Sequence, residues 1–149
     1  MAKKKAQSQG RITNRRARFD YELGDDLIAG ISLSGAETKA LRRGNGQLRG
    51  AYVTVKDGEI WLFNATIVGD NAIKISESEQ TRSRKLLAKK REIDALIAAK
   101  QQGKTIIPLE IINKGRYIKV KIAVGRGKKK YDKRQVLKQR DEARAIKQL

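Results

Sequence analysis

The fold is decided by Tyr52–Phe63, the stretch YVTVKDGEIWLF. Two runs of β-branched and aromatic residues, 52–55 and 60–63, flank the central Lys56-Asp57-Gly58-Glu59. An Asp-Gly pair between such runs is typical of a type I′ β-hairpin, because glycine accepts a positive φ without steric cost. The stretch therefore predicts two antiparallel strands joined by a tight turn.

Further along the chain, residues 105–112 and 116–124 predict a second hairpin around Asn113-Lys114-Gly115. In its second strand, apolar residues alternate strictly with polar ones, which predicts one core face and one basic face carrying Lys119 and Lys121. Pro108 lies in the first strand and has no backbone N–H to donate. That strand is therefore expected to be an edge strand or to contain a bulge.

The remaining segments complete an α+β pattern that is mainly antiparallel β. Residues 28–33 predict a strand, and 35–43 predict a short helix that Gly44 ends. Residues 82–102 predict the one long helix, which Gly103 ends. A chain of this size is expected to protect its strand edges by forming a small closed or partly open β-barrel with flanking helices.

Charge divides the chain into a body and two basic ends. The 149 residues contain 35 Lys and Arg against 16 Asp and Glu, a net charge of +19. Residues 1–18 hold seven basic and no acidic side chains, and residues 126–149 hold ten basic and three acidic ones. The pattern predicts a disordered N-terminal arm (1–13), a folded domain (14–125) and a basic tail (126–149), with a polyanion as partner.

Composition removes several classes of function. The chain has neither Cys nor His, which excludes thiolate chemistry, His-ligated zinc and the Ser-His-Asp triad. The acidic residues do not form a pattern typical of a two-metal site, and no phosphate-binding loop of the Walker type is present. We therefore expect no enzyme, no metal and no cofactor. No apolar run is long enough to span a membrane and the start does not resemble a signal peptide, so we expect a cytoplasmic protein.

Six motifs in a fixed order go beyond composition. They are Asn14–Tyr21 (NRRARFDY), Ala29–Ile31 (AGI), Gly35–Arg42 (GAETKALR), Tyr52-Val53 with Asp57-Gly58-Glu59, Arg82–Leu87 (RSRKLL) and Gly127–Arg134 (GKKKYDKR). Together they resemble the SsrA-binding protein family (small protein B), the bacterial partner of transfer-messenger RNA. Ile28 stands where the family usually has Glu, so this chain resembles a divergent member. The resemblance implies an oligonucleotide-binding-like barrel, with a tail that becomes helical when bound to the ribosome.

The resemblance and the basic residues together predict an RNA-binding surface. Asn14 offers a donor and an acceptor, and neighbouring arginines offer forked donors to phosphate. Glu37 could equally be an ordinary solvated charge, and Tyr21 could belong to the core. The predicted RNA-binding residues are Asn14, Arg15, Arg16, Ala17, Arg18, Tyr21, Glu37, Lys39, Arg42, Arg84, Lys85, Arg116 and Lys119. The predicted ribosome-contacting residues of the tail are Lys128, Lys129, Lys130, Tyr131, Asp132, Lys133, Arg134, Lys138 and Arg140.

The function that the resemblance implies is ribosome rescue by trans-translation. The protein would bind the tRNA-like part of transfer-messenger RNA as a monomer, one-to-one. It would deliver that RNA to stalled ribosomes, placing its tail at the decoding site and in the messenger channel, with elongation factor Tu in the delivery complex. The alternatives are a ribosomal or other structural RNA-binding protein and, further off, a metal-dependent nuclease.

Overall fold

A closed ring of antiparallel strands forms the body of the protein. The structure, a computed structural model, describes residues 12–128 and Lys138. Its strands are β1 (Ile12–Thr13), β2 (Tyr21–Ile31), β3 (Gly46–Gln47), β4 (Tyr52–Lys56), β5 (Glu59–Phe63), β6 (Thr66–Ile67), β7 (Arg84–Leu87), β8 (Thr105–Ile112) and β9 (Lys119–Gly127). Its helices are α1 (Ala17–Asp20), α2 (Gly35–Arg42), α3 (Glu77–Gln80) and α4 (Lys90–Gln101).

The main sheet has the order β1-β8-β4-β5-β7-β2-β9, and β8 also pairs with β9. That second pairing closes the ring, which confirms the predicted oligonucleotide-binding-like barrel. A separate two-stranded sheet joins β3 to β6. The ring encloses a core of aliphatic side chains, among them Val53, Ile60, Leu62, Leu86, Ile106, Val120 and Ile122.

Both predicted hairpins are confirmed. Asp57 and Gly58 have φ angles of 54° and 75°, as a type I′ turn requires. In the second hairpin the register shifts between Pro108 and Glu110, so the strand contains the predicted bulge. Its second strand begins at Lys119, three residues later than predicted, because residues 113–118 form a longer loop.

The predicted long helix 82–102 is wrong in its first third. Arg84–Leu87 form strand β7, and the helix begins only at Lys90. Leu86 pairs with Ile60 on one side and with Ile31 on the other, and it is almost fully buried. Pairing with two neighbouring strands thus overrides the helical composition of this segment.

The folded body extends beyond the predicted boundaries at both ends. Ile12 and Thr13, which we predicted in the disordered arm, pair with Ile111 and Glu110 of β8. At the other end, β9 continues to Gly127, which pairs with Tyr21. Within the described residues, no helix is long and apolar enough to cross a membrane.

Candidate nucleic-acid interface

The segment between β1 and β2 is fixed to the barrel by its polar and small residues, which leaves its arginines exposed. The Asn14 backbone N–H donates to the Leu109 carbonyl (2.7 Å), and the Asn14 side-chain Nδ2 donates to the Pro108 carbonyl (3.0 Å). Ala17 is buried and anchors α1, and its role as an RNA contact stays a prediction. The exposed residues of the segment are Arg15, Arg16 and Arg18.

Arg16 makes two contacts within its own segment. Its guanidinium carbon lies 4.8 Å from the centroid of the Phe19 ring, and its Nη2 lies 3.4 Å from Asp20 Oδ1. A cation–π contact and an i,i+4 ion pair restrict the side chain while leaving most of it in solvent. Arg16 therefore presents its donors to a ligand from a restricted position.

A groove of about 900 Å³ runs beside this segment. Its walls combine four predicted residues, Asn14, Arg16, Ala17 and Tyr21, with three that were not predicted from the sequence. These are Arg49, from the loop before β4, Tyr52, at the start of β4, and Lys100, near the end of α4. A smaller cavity of about 470 Å³ shares Asn14, Arg16 and Arg49 and adds Arg15, so the two form a continuous basic surface.

Tyr52 gives the groove an aromatic face. Its ring stacks on Phe63, with centroids 5.4 Å apart and planes 10° from parallel, while Tyr52 stays 44% exposed. A stacked, half-exposed ring can receive a nucleotide base. The signal for this pair was present in the sequence, because a two-residue turn at Asp57-Gly58 places Tyr52 opposite Phe63.

Glu37 and Arg84 are not surface residues, which corrects their prediction as RNA contacts. They are 2% and 0% exposed, and Arg84 Nε donates to Glu37 Oε2 at 2.8 Å. Arg82 donates to both oxygens of the same carboxylate. Arg84 also donates to the carbonyls of Ala65, Glu79, Gln80 and Arg82. This cluster joins α2 to β7, to α3 and to the loop between β5 and β6.

The carboxylate of Glu37 is held in its charged form. Burial raises its pKa, but hydrogen bonds from Arg82, Ser34 and Arg84 outweigh that cost, so the pKa of Glu37 lies below its ordinary value. Glu37 is also part of a capping box: Ser34 Oγ accepts from the Glu37 N–H, and the Ser34 N–H donates to Glu37 Oε1. The spacing Ser34-x-x-Glu37 was the sequence signal for that structural role.

The other predicted residues lie outside the groove. Lys39 is exposed on α2, and Lys85 Nζ lies 3.0 Å from Glu59 Oε1.

Arg116 and Lys119 lie at the β8–β9 loop, where the Arg42 guanidinium donates hydrogen bonds to backbone carbonyls. Ile28 is exposed on the outer face of β2, beside Lys121 of β9.

The start of the tail is tied to α1. The Lys128 backbone N–H donates to the Asp20 carbonyl (2.8 Å), and Lys128 Nζ donates to the Arg18 carbonyl (2.9 Å). Lys138 is exposed. The other predicted tail residues lie outside the described residues: Lys129, Lys130, Tyr131, Asp132, Lys133, Arg134 and Arg140.

A closed antiparallel barrel with a basic, aromatic-lined groove defines a nucleic-acid-binding protein of the oligonucleotide-binding type. The profile of the SmpB protein family matches residues 11–149, and the chain belongs to that family.

Individual relatives agree with the family assignment. An SsrA-binding protein of Trichormus variabilis is 45% identical over 145 residues, covering 95% of this chain and 94% of its own. One from Staphylococcus carnosus is 44% identical over 153 residues, covering 99% and 98%. A solved chain described as "tmRNA-SmpB: a journey to the center of the bacterial ribosome" is 36% identical, with a TM-score of 0.67, covering 86% of this chain and 94% of its own.

Proposed function

We propose that this protein binds the tRNA-like part of transfer-messenger RNA and delivers it to stalled ribosomes for trans-translation. The observation that carries the proposal is the groove that is lined by Asn14, Arg16, Arg49, Tyr52 and Lys100. Family membership supports it, since the relatives are SsrA-binding proteins and the similar solved chain comes from a study of tmRNA on the ribosome.

The chemistry of the groove suits a folded RNA. Guanidinium groups donate in pairs to phosphate oxygens, and an ammonium group adds a point charge. A tyrosine ring that is already stacked loses little further freedom when a base covers it. Affinity then comes from phosphate contacts, and preference for RNA with an accessible base comes from stacking.

The remaining roles fall to the tail and to partners. The basic tail, 126–149, contacts the ribosome at the decoding site and in the messenger channel while the barrel holds the RNA. Elongation factor Tu joins the delivery complex, and the protein acts in the cytoplasm as a monomer, one per RNA. It acts by binding and has no catalytic activity of its own.

Gel-shift titrations at fixed salt test the binding step. Transfer-messenger RNA is compared with an unrelated RNA of equal length, using wild type, an Arg49→Ala/Lys100→Ala variant and a Lys74→Ala/Lys90→Ala control. The control removes two exposed cations that do not line the groove. We expect wild type and control to prefer transfer-messenger RNA, and the groove variant to bind it at least tenfold more weakly. Equal affinity of wild type for both RNAs would refute the proposal.

Tagging of a peptide on ribosomes stalled at a truncated message tests the delivery step. We expect the wild-type protein to support tagging, and we expect that more of the groove variant is needed for the same yield.

Two further measurements test the alternative functions. We expect RNA to stay intact when it is incubated with the protein and Mg²⁺ or Mn²⁺, and cleavage would favour a nuclease instead. Stoichiometric recovery with ribosomes from growing cells would favour a ribosomal protein.

A further inference from the structure

The loop between β8 and β9, residues 113–118, holds the most exposed aromatic side chain among the described residues. Tyr117 is 67% exposed, although the next residue, Ile118, is buried in the core. The guanidinium carbon of Arg116 lies 5.6 Å from the centroid of the Tyr117 ring. The ring therefore projects from the barrel beside a cation.

Arg42 holds this loop in place from a different element. Its Nη1 donates to the carbonyls of Asn113 (2.8 Å) and Gly115 (2.6 Å), and its Nη2 donates to the carbonyl of Arg116 (2.9 Å). In the opposite direction, Asn113 Nδ2 donates to the Leu41 carbonyl (2.6 Å). Four hydrogen bonds thus join the end of α2 to the loop, which already turns at Gly115 with a φ of 85°.

The loop is also strongly cationic. Lys114, Arg116 and Lys119 are exposed, and residues 113–119 contain no acidic side chain. Cations around an exposed ring favour a polyanion with a flat apolar part, which describes a nucleotide with an unpaired base. A protein partner would need acidic groups as well as an apolar contact.

This loop is separate from the groove. The groove includes Thr105, at the start of β8, whereas the loop follows Ile112, at its end. Asn14, which also lines the groove, bonds to the Leu109 carbonyl, and the four steps from Leu109 to Asn113 cover about 13 Å of strand. A ligand that fills the groove must therefore extend along the barrel to reach Tyr117.

We propose that Tyr117 stacks on an unpaired base of the bound RNA, and that Arg42 is the positioning residue that holds the loop for this contact. The proposal rests on the proposed function, because its ligand is the same RNA. Lys114 and Arg116 contact the neighbouring phosphates. Because the loop is held in advance, less ordering entropy opposes binding than a free loop would cost.

Salt titrations of affinity for transfer-messenger RNA test the proposal, using full-length wild type, Tyr117→Ala, Tyr117→Phe and Lys114→Ala. We expect Tyr117→Ala to bind on the order of 5- to 100-fold more weakly, with an unchanged dependence of log affinity on log salt, because stacking involves no charge. Tyr117→Phe keeps the ring and should bind like wild type. Lys114→Ala should lower the slope by about 0.7 to 0.9.

The role of Arg42 is tested by Arg42→Lys, which keeps the charge but lacks the planar fork of two nitrogens that spans the three carbonyls. We expect weaker binding with an unchanged salt slope, and we expect Tyr117→Ala to cost less in that background than in wild type. Melting curves check that each variant is folded. If the Tyr117→Ala variant binds the RNA with wild-type affinity, the proposal is overturned. If the wild-type protein shows no preference for this RNA, the proposed function itself is overturned. Normal RNA affinity with lost tagging would assign Tyr117 to a protein or ribosome contact and also overturn the proposal.

Discussion

Arg84 Nε lies 2.8 Å from Glu37 Oε2, and both side chains are shielded from solvent. The two residues are 47 positions apart in the chain, so this ion pair joins α2 to strand β7 of the barrel. Removing one partner of a buried pair leaves the other charge uncompensated, which costs far more than loss of a surface pair.

The first prediction follows directly. Glu37→Gln should lower the free energy of unfolding by about 3 kcal/mol, because Arg84 then remains buried without an opposite charge. Glu59→Gln is the matched control: it removes the half-exposed pair with Lys85 and should cost less than about 1 kcal/mol. Denaturant unfolding of both variants measures the difference. Equal losses would show that the buried pair contributes no more than a surface one.

Acid should weaken the same cluster. Because the folded pKa of Glu37 lies below its ordinary value of 4.5, its contribution to stability is fully present above about pH 4.5 and is lost as the pH falls through the folded pKa. The difference in unfolding free energy between wild type and Glu37→Gln should stay constant from about pH 7 to pH 5 and narrow below pH 4.5. Unfolding titrations across this range measure it, and a constant difference at low pH would contradict the prediction.

The backbone around Gly69 leaves no room for a side chain at this position. A Cβ at Gly69 would lie 2.2 Å from the Ile73 carbonyl oxygen and 3.1 Å from the Ile75 backbone nitrogen, and backbone atoms cannot move aside cheaply. Gly69→Ala should therefore destabilise the protein by about 1 to 3 kcal/mol. At Gly35 nothing lies within 4 Å, so Gly35→Ala should have little effect or raise stability slightly. Thermal melts of the two variants compare them, and similar melting temperatures would refute the argument.

Arg15 and Arg16 should act as phosphate ligands. Replacing both with Ala should weaken RNA binding and flatten the dependence of log affinity on log salt by about 1.4 to 1.8, if each neutralises one phosphate. The Lys74→Ala/Lys90→Ala variant is the control for loss of net charge. Weaker binding with an unchanged slope would mean that the two arginines act through packing.

The tail should be separable from the barrel after Lys128. A chain ending at Lys128 keeps the bonds to Arg18 and Asp20 and all pairs of β9, so it should fold and bind transfer-messenger RNA but fail to support tagging. A chain ending at Gly125 loses the pairs of Glu22 with Arg126 and of Tyr21 with Gly127, and it should be less stable. Circular dichroism, gel shift and tagging measure the three properties. Normal tagging by the first chain would show that the tail is only a solvated charge run.

A substitution within the tail tests the same separation of tail and barrel. Replacing Asp132, Lys133 and Arg134 with Ala in the full chain should abolish tagging and leave RNA affinity nearly unchanged. Loss of RNA binding as severe as in the Arg15/Arg16 variant would contradict the division of work between barrel and tail.

Local signals predicted the parts of this fold that local physics determines. The Asp57-Gly58 turn fixes its own hairpin, and Pro108 marks its own bulge. The strand nature of Arg84–Leu87 depends on pairing with β5 and β2, which its composition does not reveal.

The candidate nucleic-acid interface was likewise predictable only where its residues are neighbours in the sequence. The motif Asn14–Tyr21 could be found because its residues are contiguous, whereas Arg49, Tyr52 and Lys100 come from three elements that only the closed barrel brings together. The buried position of Arg84 depends on its ion pair with Glu37, and no periodic pattern in either segment predicts that the two residues pair.

The bonds from Lys128 to Arg18 and Asp20 have a thermodynamic consequence. One short segment, 14–20, lines the groove with Asn14 and Arg16 and holds the base of the tail with its carbonyls. Two binding events that share such a segment are thermodynamically coupled. If bound RNA favours one orientation of the tail, then binding of the tail in that orientation raises the affinity for the RNA by the same factor. Dissociation of the RNA and dissociation of the tail would then be linked, so that each one promotes the other.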